Sequence, residues 1–302
     1  QIQARASAAA PTSLDGESPF AASSTRLAAT YGRWVVKTYP VESIRNVGLF
    51  SHGGAGKTSM TEAMLYTSKT INRLGRIEEG NTVSDWDPDE IKRTISIGTS
   101  VAPLEWNDCK INLLDAPGYA DFLGEVKAAM RVVDTALLLL DASAGVEVGT
   151  EYAWRFARER DLPCIVVINK MDRENADFGA ALQSAQSTLG QSVVPMTIPI
   201  GSESSFRGIV DLLRMRATFF ADDKSGGTSE GEIPADMLDA VETYRLELVE
   251  KIAENDEDLM LRYLEDEELS ADELSAALPQ SVKRGEIVPG LAAAPAPNKG
   301  AG

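Results

Sequence analysis

The amino-acid sequence predicts an α/β fold: a doubly wound, mostly parallel sheet with an inserted α+β subdomain. Three observations point there. Near-continuous apolar runs at 44–50, 136–141 and 164–169 have the length of buried strands. Segments with helical apolar spacing follow at 58–68, 122–133, 148–160 and 178–189. The turns rich in Gly, Asp, Asn and Lys fall where strands end, at 51–58, 115–118 and 169–172. Alternating strands and helices with near-continuous apolar strands call for a parallel sheet covered on both faces. Such sheets gather ligands at the carboxyl ends of their strands.

Residues 1–41 are rich in Ala and Ser and contain Arg5, Arg26 and Arg33, with Asp15 and Glu17 as the only acids before residue 40. No periodicity is sustained there, which predicts a disordered extension. The same composition suits an organelle transit peptide. Residues 42–189 read as the sheet core. A strand at 44–50 leads through a Gly-rich turn at 51–56 into a helix with Met60, Ala63, Met64 and Thr67 at helical spacing. Residues 75–94 are polar and aperiodic and read as a loop. Strands at 101–106 and 110–114 form a hairpin about Asn107-Asp108. Residues 190–284 break the rhythm and read as the inserted subdomain, with a Gly/Ser stretch at 225–231 and acidic helices at 236–264 and 272–278. Residues 285–302 hold the returning last strand, at 286–291, and a small-residue tail expected to fray.

Composition narrows the function classes. The 302 residues are 43% hydrophobic and 25% charged, ordinary for a soluble globular protein. The greasiest run, 136–140, is far shorter than the roughly 18 to 20 residues of a membrane-spanning helix. Cys109 and Cys164 stand alone, and with one histidine they offer no structural zinc set. A net charge of −17 argues against coating free DNA or RNA. Between residues 222 and 275, 19 acids face 4 bases, which predicts solvated helix faces or a docking surface for a basic partner. The expected state is a cytoplasmic monomer without a membrane or free-DNA partner.

Three motifs carry chemistry. The first, Ser51-His52-Gly53-Gly54-Ala55-Gly56-Lys57-Thr58, joins a strand to a helix. Glycines let the backbone aim N–H groups at a phosphate, and the helix adds about half a unit of positive charge. Lys57 then bridges β- and γ-phosphates and the Thr58 hydroxyl binds Mg²⁺, as in a P-loop NTPase, although Ser51 stands where the general pattern has Gly. The second motif is Asp115-Ala116-Pro117-Gly118, at a strand tip. Its carboxylate suits Mg²⁺ through water, and Gly118 can turn its N–H toward a γ-phosphate. The third is Asn169-Lys170-Met171-Asp172. A carboxylate at Asp172 accepts two hydrogen bonds from the edge of guanine that adenine lacks. At roughly 1.5 to 3 kcal/mol each, these select guanine about a hundredfold or more. The Lys170 stem would stack on the base.

These residues resemble the GTPase domain of elongation factor G. The resemblance also rests on Glu79-Gly80, on Lys92-Arg93-Thr94-Ile95-Ser96-Ile97, on Tyr119-Ala120-Asp121-Phe122 after the second motif, and on Arg173 after the third. Phe206-Arg207-Gly208-Ile209-Val210-Asp211-Leu212 is similar to that family's inserted subdomain. It implies GTP and GDP, Mg²⁺, GTP hydrolysis and a ribosome partner. It also implies Ser96 as a Mg²⁺ hydroxyl and Tyr119, with Gly118 and Lys57, at the reacting water. The chain departs from the family at Gly54, where Asp is usual, and at Tyr119, where His is usual. The family's guanine-contacting Ser-Ala pair aligns to Ala294-Pro295. These departures look more like a factor-G-like paralogue branch. A neutral Tyr hydroxyl can orient a water but is a poor base. The alternatives are a nucleotide-gated binding module with little or no hydrolysis, a ribosome protection or recycling factor, an inert truncated product, and a P-loop ATPase outside translation. His52, the only histidine, reads as a structural member of its turn.

Overall fold

A computed structural model describes residues 37–223 and 225–301. The expected disordered extension or transit peptide lies almost entirely outside the described residues. A seven-stranded sheet runs in the order β2 (Ser100–Trp106), β3 (Cys109–Asp115), β1 (Ile44–Phe50), β4 (Thr135–Asp141), β5 (Cys164–Asn169), β11 (Val288–Ala292) and β6 (Val193–Pro195). Only the β2–β3 pair is antiparallel. That hairpin turns on two residues with positive φ, Asn107 (47°) and Asp108 (61°), which Asn and Asp side chains tolerate.

Strand residues alternate between two cores. Phe50, Leu114, Leu138, Leu140 and Ile168 face one side. There they meet α3 (Leu123–Ala129), α4 (Val148–Arg158) and α5 (Phe178–Thr188). Leu49, Leu113, Leu137, Leu139 and Val167 face the other, against Met60 and Leu65 of α1 (Lys57–Thr67). The alternation is the period of a strand buried on both faces.

Residues 75–94 are more ordered than their composition suggests. They hold a 3₁₀ turn (Ile77–Glu79) and a short helix, α2 (Pro88–Arg93). Asp87 caps the N–H of Asp89 while Glu90 reaches back to the N–H of Asp87, and Pro88 opens the first turn. Six residues are too few to display a period, so the sequence marks this helix by its capping box alone.

The insert contains a four-stranded antiparallel sheet in the order β10 (Thr228–Gly231), β9 (Arg216–Phe220), β8 (Gly208–Asp211), β7 (Thr197–Ile200). Part of the Gly/Ser stretch is therefore an edge strand. The acidic run at 236–264 divides into α6 (Leu238–Ala253) and α7 (Glu257–Leu264), because Asp256 caps a new start. The last helix, α8 (Ala271–Arg284), passes through Pro279 and ends at Gly285, beyond the expected 278. β6 falls within 190–284 yet belongs to the large sheet. The tail does not fray over 293–301: Ala294 and Lys299 exchange backbone hydrogen bonds, and Ala293, Ala294 and Asn298 are buried. Among the described residues no helix is long and apolar enough to cross a membrane.

Candidate functional site

All three motifs sit at the carboxyl edge of the large sheet, where β1, β3 and β5 end. The first loop is shaped by backbone: Gly54 and Gly56 have φ of 83° and 100°, and Gly56 caps α1 in the left-handed region. Lys57 is buried, with Nζ at 3.0 Å from Ser51 Oγ and 3.3 Å from the His52 carbonyl. Burial pulls its ammonium down to about 8, against the opposing pull of Asp115 and Asp85. Ala55 is buried, and its carbonyl accepts from Asn169 Nδ2 at 2.8 Å. His52 ties the loop to the start of α4: its N–H donates to Thr150 Oγ1 (3.2 Å) and its Nδ1 accepts from the Gly149 N–H (3.3 Å). That is a bracing position.

The second motif closes on the first. A side chain at Gly118 would put a Cβ 2.4 Å from Lys57 Nζ and 2.8 Å from the Gly53 N, so only glycine allows this approach. The Tyr119 ring lies flat against the loop; a Cβ at Gly53 would stand 2.8 Å from its Cζ. Tyr119 remains 41% exposed and lines the cavity above Lys57.

Four oxygen side chains converge below. Thr58 Oγ1 donates to Asp115 Oδ2 (2.9 Å) and lies 3.3 Å from Ser96 Oγ, which donates to Asp85 Oδ1 (2.7 Å). Sequence reasoning named Thr58, Ser96 and Asp115 but missed Asp85, which carried no motif of its own in a polar stretch. Burial pushes the Asp115 carboxyl up to about 6, with Lys57 opposing, and raises Asp85. Among the described residues the second Asp115 oxygen, Oδ1, is buried without a hydrogen-bond partner. Two buried carboxylates, one with an orphaned oxygen, and two hydroxyls are hard donors of the kind that suit Mg²⁺. Among the described residues no group of three His, Cys, Asp or Glu side chains is placed to hold a metal. A protein contribution this small fits an ion that keeps most of its waters and takes phosphate oxygens.

The segment carrying Asp85 and Ser96 is held by two further carboxylates that the sequence did not single out. Glu62 of α1 is 1% exposed and accepts from the N–H groups of Gly75 (3.0 Å) and Val83. Glu90, also buried, accepts from those of Ile97 (2.8 Å) and Gly98 (3.1 Å).

The third motif divides in the structure. Asn169 is wholly buried and braces the first loop, and it lines no cavity at the site. Lys170, at φ 62°, pairs with Asp141 at 2.6 Å, and its stem reaches over Gly56. Burial alone would raise the Asp141 carboxyl; hydrogen bonds from Lys170 and Ser143 outweigh it and hold the group below its usual range. Asp172 lines a cavity of about 370 Å³ with Pro295, Ala296 and Pro297. A second cavity, of about 290 Å³, is lined by Gly53, Gly54, Gly56, Lys57, Thr58 and Tyr119, among others. The two share Ser59, Ile77, Glu78 and Arg173, so they adjoin, with the Asp172 carboxylate on one and the glycine loop on the other.

Comparison with known proteins agrees with this geometry. The model of the elongation factor Tu GTP binding domain matches residues 42–292. A crystal structure from Thermus thermophilus is similar at 38% identity and a TM-score of 0.80, over 86% of this chain and 38% of that one. The chain thus spans well under half of that relative's length. By its motifs, its sheet and these matches, the chain belongs to the elongation factor Tu GTP binding domain family, as a translational GTPase domain of the elongation factor G type.

Proposed function

We propose that this domain binds GTP and GDP in the adjoining cavities, hydrolyses GTP, and serves a factor-G-like protein on the ribosome. The observation that carries this is the pair of adjoining cavities, with Asp172 on one and Lys57 on the other. Asp172 accepts from the guanine edge, and the Lys170 stem covers the base. Asn169 contributes by bracing the loop through Ala55. The N–H groups of Gly53, Gly54, Ala55 and Gly56 hold phosphates, with Ser51 and His52 shaping the turn. Lys57 exchanges its loop acceptors for β- and γ-phosphate oxygens. Thr58, Ser96 and Asp115, with Asp85, would hold Mg²⁺, which when bound neutralises charge on the phosphates. Gly118 offers its N–H to the γ-phosphate, and the Tyr119 hydroxyl orients the water that attacks the γ-phosphorus. The bond to the β-phosphate oxygen breaks, giving GDP and phosphate. The domain division that goes with this reading is 1–41 extension, 42–189 core, 190–284 insert apart from β6, which joins the core sheet, and 285–302 last strand and tail, in a cytoplasmic monomer.

A second reading, a nucleotide-gated module that turns over slowly or not at all, is favoured by one observation. Tyr119 packs on Gly53 and supplies no good base. Titration with fluorescent GDP and GTP analogues against competing ATP tests the guanine site. The expected result is binding that ignores ATP and weakens about a hundredfold in Asp172→Asn. Equal competition by ATP would overturn the proposal. Phosphate release with ribosomes present separates the two readings: turnover supports the hydrolase, and none supports the module.

A further inference from the structure

The two cavities of the site meet at four residues, and one of them is a cation to which the chemistry above gives no part. Asp172 lines one cavity, Lys57 and Lys170 line the other, and Ser59, Ile77, Glu78 and Arg173 line both. Among the described residues Arg173 is the one base common to the two linings. Arg76 lines the Asp172 cavity alone and stands 3.8 Å from Glu79. Lys170 is held by Asp141 at 2.6 Å.

Backbone fixes where Arg173 stands. Its N–H donates to the Lys170 carbonyl (2.9 Å), and its carbonyl accepts from the Ala176 N–H (3.2 Å). Two residues earlier, the Met171 N–H is tied to the Ala293 carbonyl of the folded-back tail (3.2 Å). The turn is anchored while the Arg173 side chain stays exposed. Ser59, also at the junction, lies in the first turn of α1. The first bond of that helix runs from the Met60 N–H to the Gly56 carbonyl (3.0 Å), so the Ser59 N–H has no acceptor within the helix. The junction thus offers a guanidinium, a hydroxyl and a helix-terminal N–H. Glu78, the one acid common to the two linings among the described residues, would alone repel an anion there, and Arg173 offsets it.

A guanine nucleotide with its base at Asp172 and its β- and γ-phosphates at Lys57 must lay its ribose and α-phosphate between, because those groups join base to β-phosphate. The ribose is neutral and the α-phosphate is an anion, which a guanidinium fork matches in charge and shape. We propose that Arg173 binds the α-phosphate and sets the preference of this site for nucleotide over nucleoside. The inference rests on the nucleotide reading above.

Calorimetric titration of the full chain with GDP, with GMP and guanosine read by their displacement of GDP, tests it. Arg173→Ala should weaken GDP and GMP about tenfold each, leave guanosine unchanged and leave the melting temperature of the unliganded protein unchanged. Arg173→Lys, which keeps the charge without the fork, should recover part of the loss. Asp172→Asn should weaken all three, since guanine is common to them. A loss in Arg173→Ala that is equal for guanosine and GDP would assign the residue to the base or ribose and overturn the proposal. Full-strength GDP binding by Arg173→Ala, with Asp172→Asn weakened, would overturn it and leave the guanine site standing. No GDP binding by the unaltered chain would overturn the nucleotide reading and this inference with it.

Discussion

At the scale of single residues, the site is a set of groups held away from their solution preferences. Asp115 shows the consequence for pH. Its carboxyl lies at about 6 in the folded domain against an ordinary 3.8, because burial disfavours the charge more than Lys57 and hydrogen bonds restore it. A raised folded-state value means that the fold takes up a proton between those two points. Its contribution to stability is fully present below about 4 and is lost as pH rises through about 6. Binding a cation needs the carboxylate, so the gain from Mg²⁺ with GDP should run the other way. The melting-temperature difference between loaded and ligand-free protein should be larger at about pH 7.5 than at about pH 5; equal differences would contradict the assignment. Gly118 gives a steric test. In Gly118→Ala the methyl would sit 2.4 Å from Lys57 Nζ and 2.8 Å from two backbone atoms of the loop. The loop or the ammonium must shift, and affinity for a GTP analogue should fall at least about tenfold while the melting temperature changes little.

At the scale of elements, the loop between α1 and β2 is ordered by carboxylates that receive backbone N–H groups. Glu62 does this from the helix that follows the glycine loop, so it links the two regions mechanically. Glu62→Gln keeps one acceptor oxygen and forces its amide group against a backbone donor. A loss of about 1 to 3 kcal/mol is expected, with faster amide exchange at Gly75 and Val83. Exchange unchanged at both amides would show that the loop is held by other contacts. Asp87→Ala removes the cap of α2 and should cost about 1 kcal/mol, read mainly as faster exchange across 88–95. The cap is legible in the sequence as Asp87-Pro88-Asp89-Glu90, a capping box with Pro at the first helical position. Glu62 was not open to view in that way. It lies on an ordinary helical segment, and its partners are 13 and 21 residues away.

At the scale of the molecule, the larger core runs without a break from the seven-stranded sheet into the insert. Leu138, Phe156 and Val193 belong to the same buried cluster as Val210, Leu248 and Leu274. The insert therefore has no separate core to melt by itself. Leu248→Ala should cost about 2 to 5 kcal/mol and lower a single thermal transition for the whole of 41–301. Two resolved transitions would mean that the insert folds independently. The opposite sheet face is thinner, with α1 as its one helix among the described residues.

Local signals in the chain were enough for the fold class, for the three motifs and their order along alternating strands, and for the guanine-nucleotide family. Those signals are apolar runs, glycines beside Lys57, and short turns at strand ends. They also marked Thr58 and Asp115 as candidates, and the family resemblance added Ser96. It took the folded arrangement to bring Asp85 into that set, to make Asn169 a brace for the loop, and to set Glu62 and Glu90 as anchors of the segment between. The same arrangement placed β6 in the large sheet and folded the tail back. The reason is physical. A motif is read from neighbours in the chain, whereas burial, a hydrogen bond across tens of residues and a strand's place in a sheet depend on which distant segments meet. Those meetings are fixed by packing the whole chain and have no local imprint.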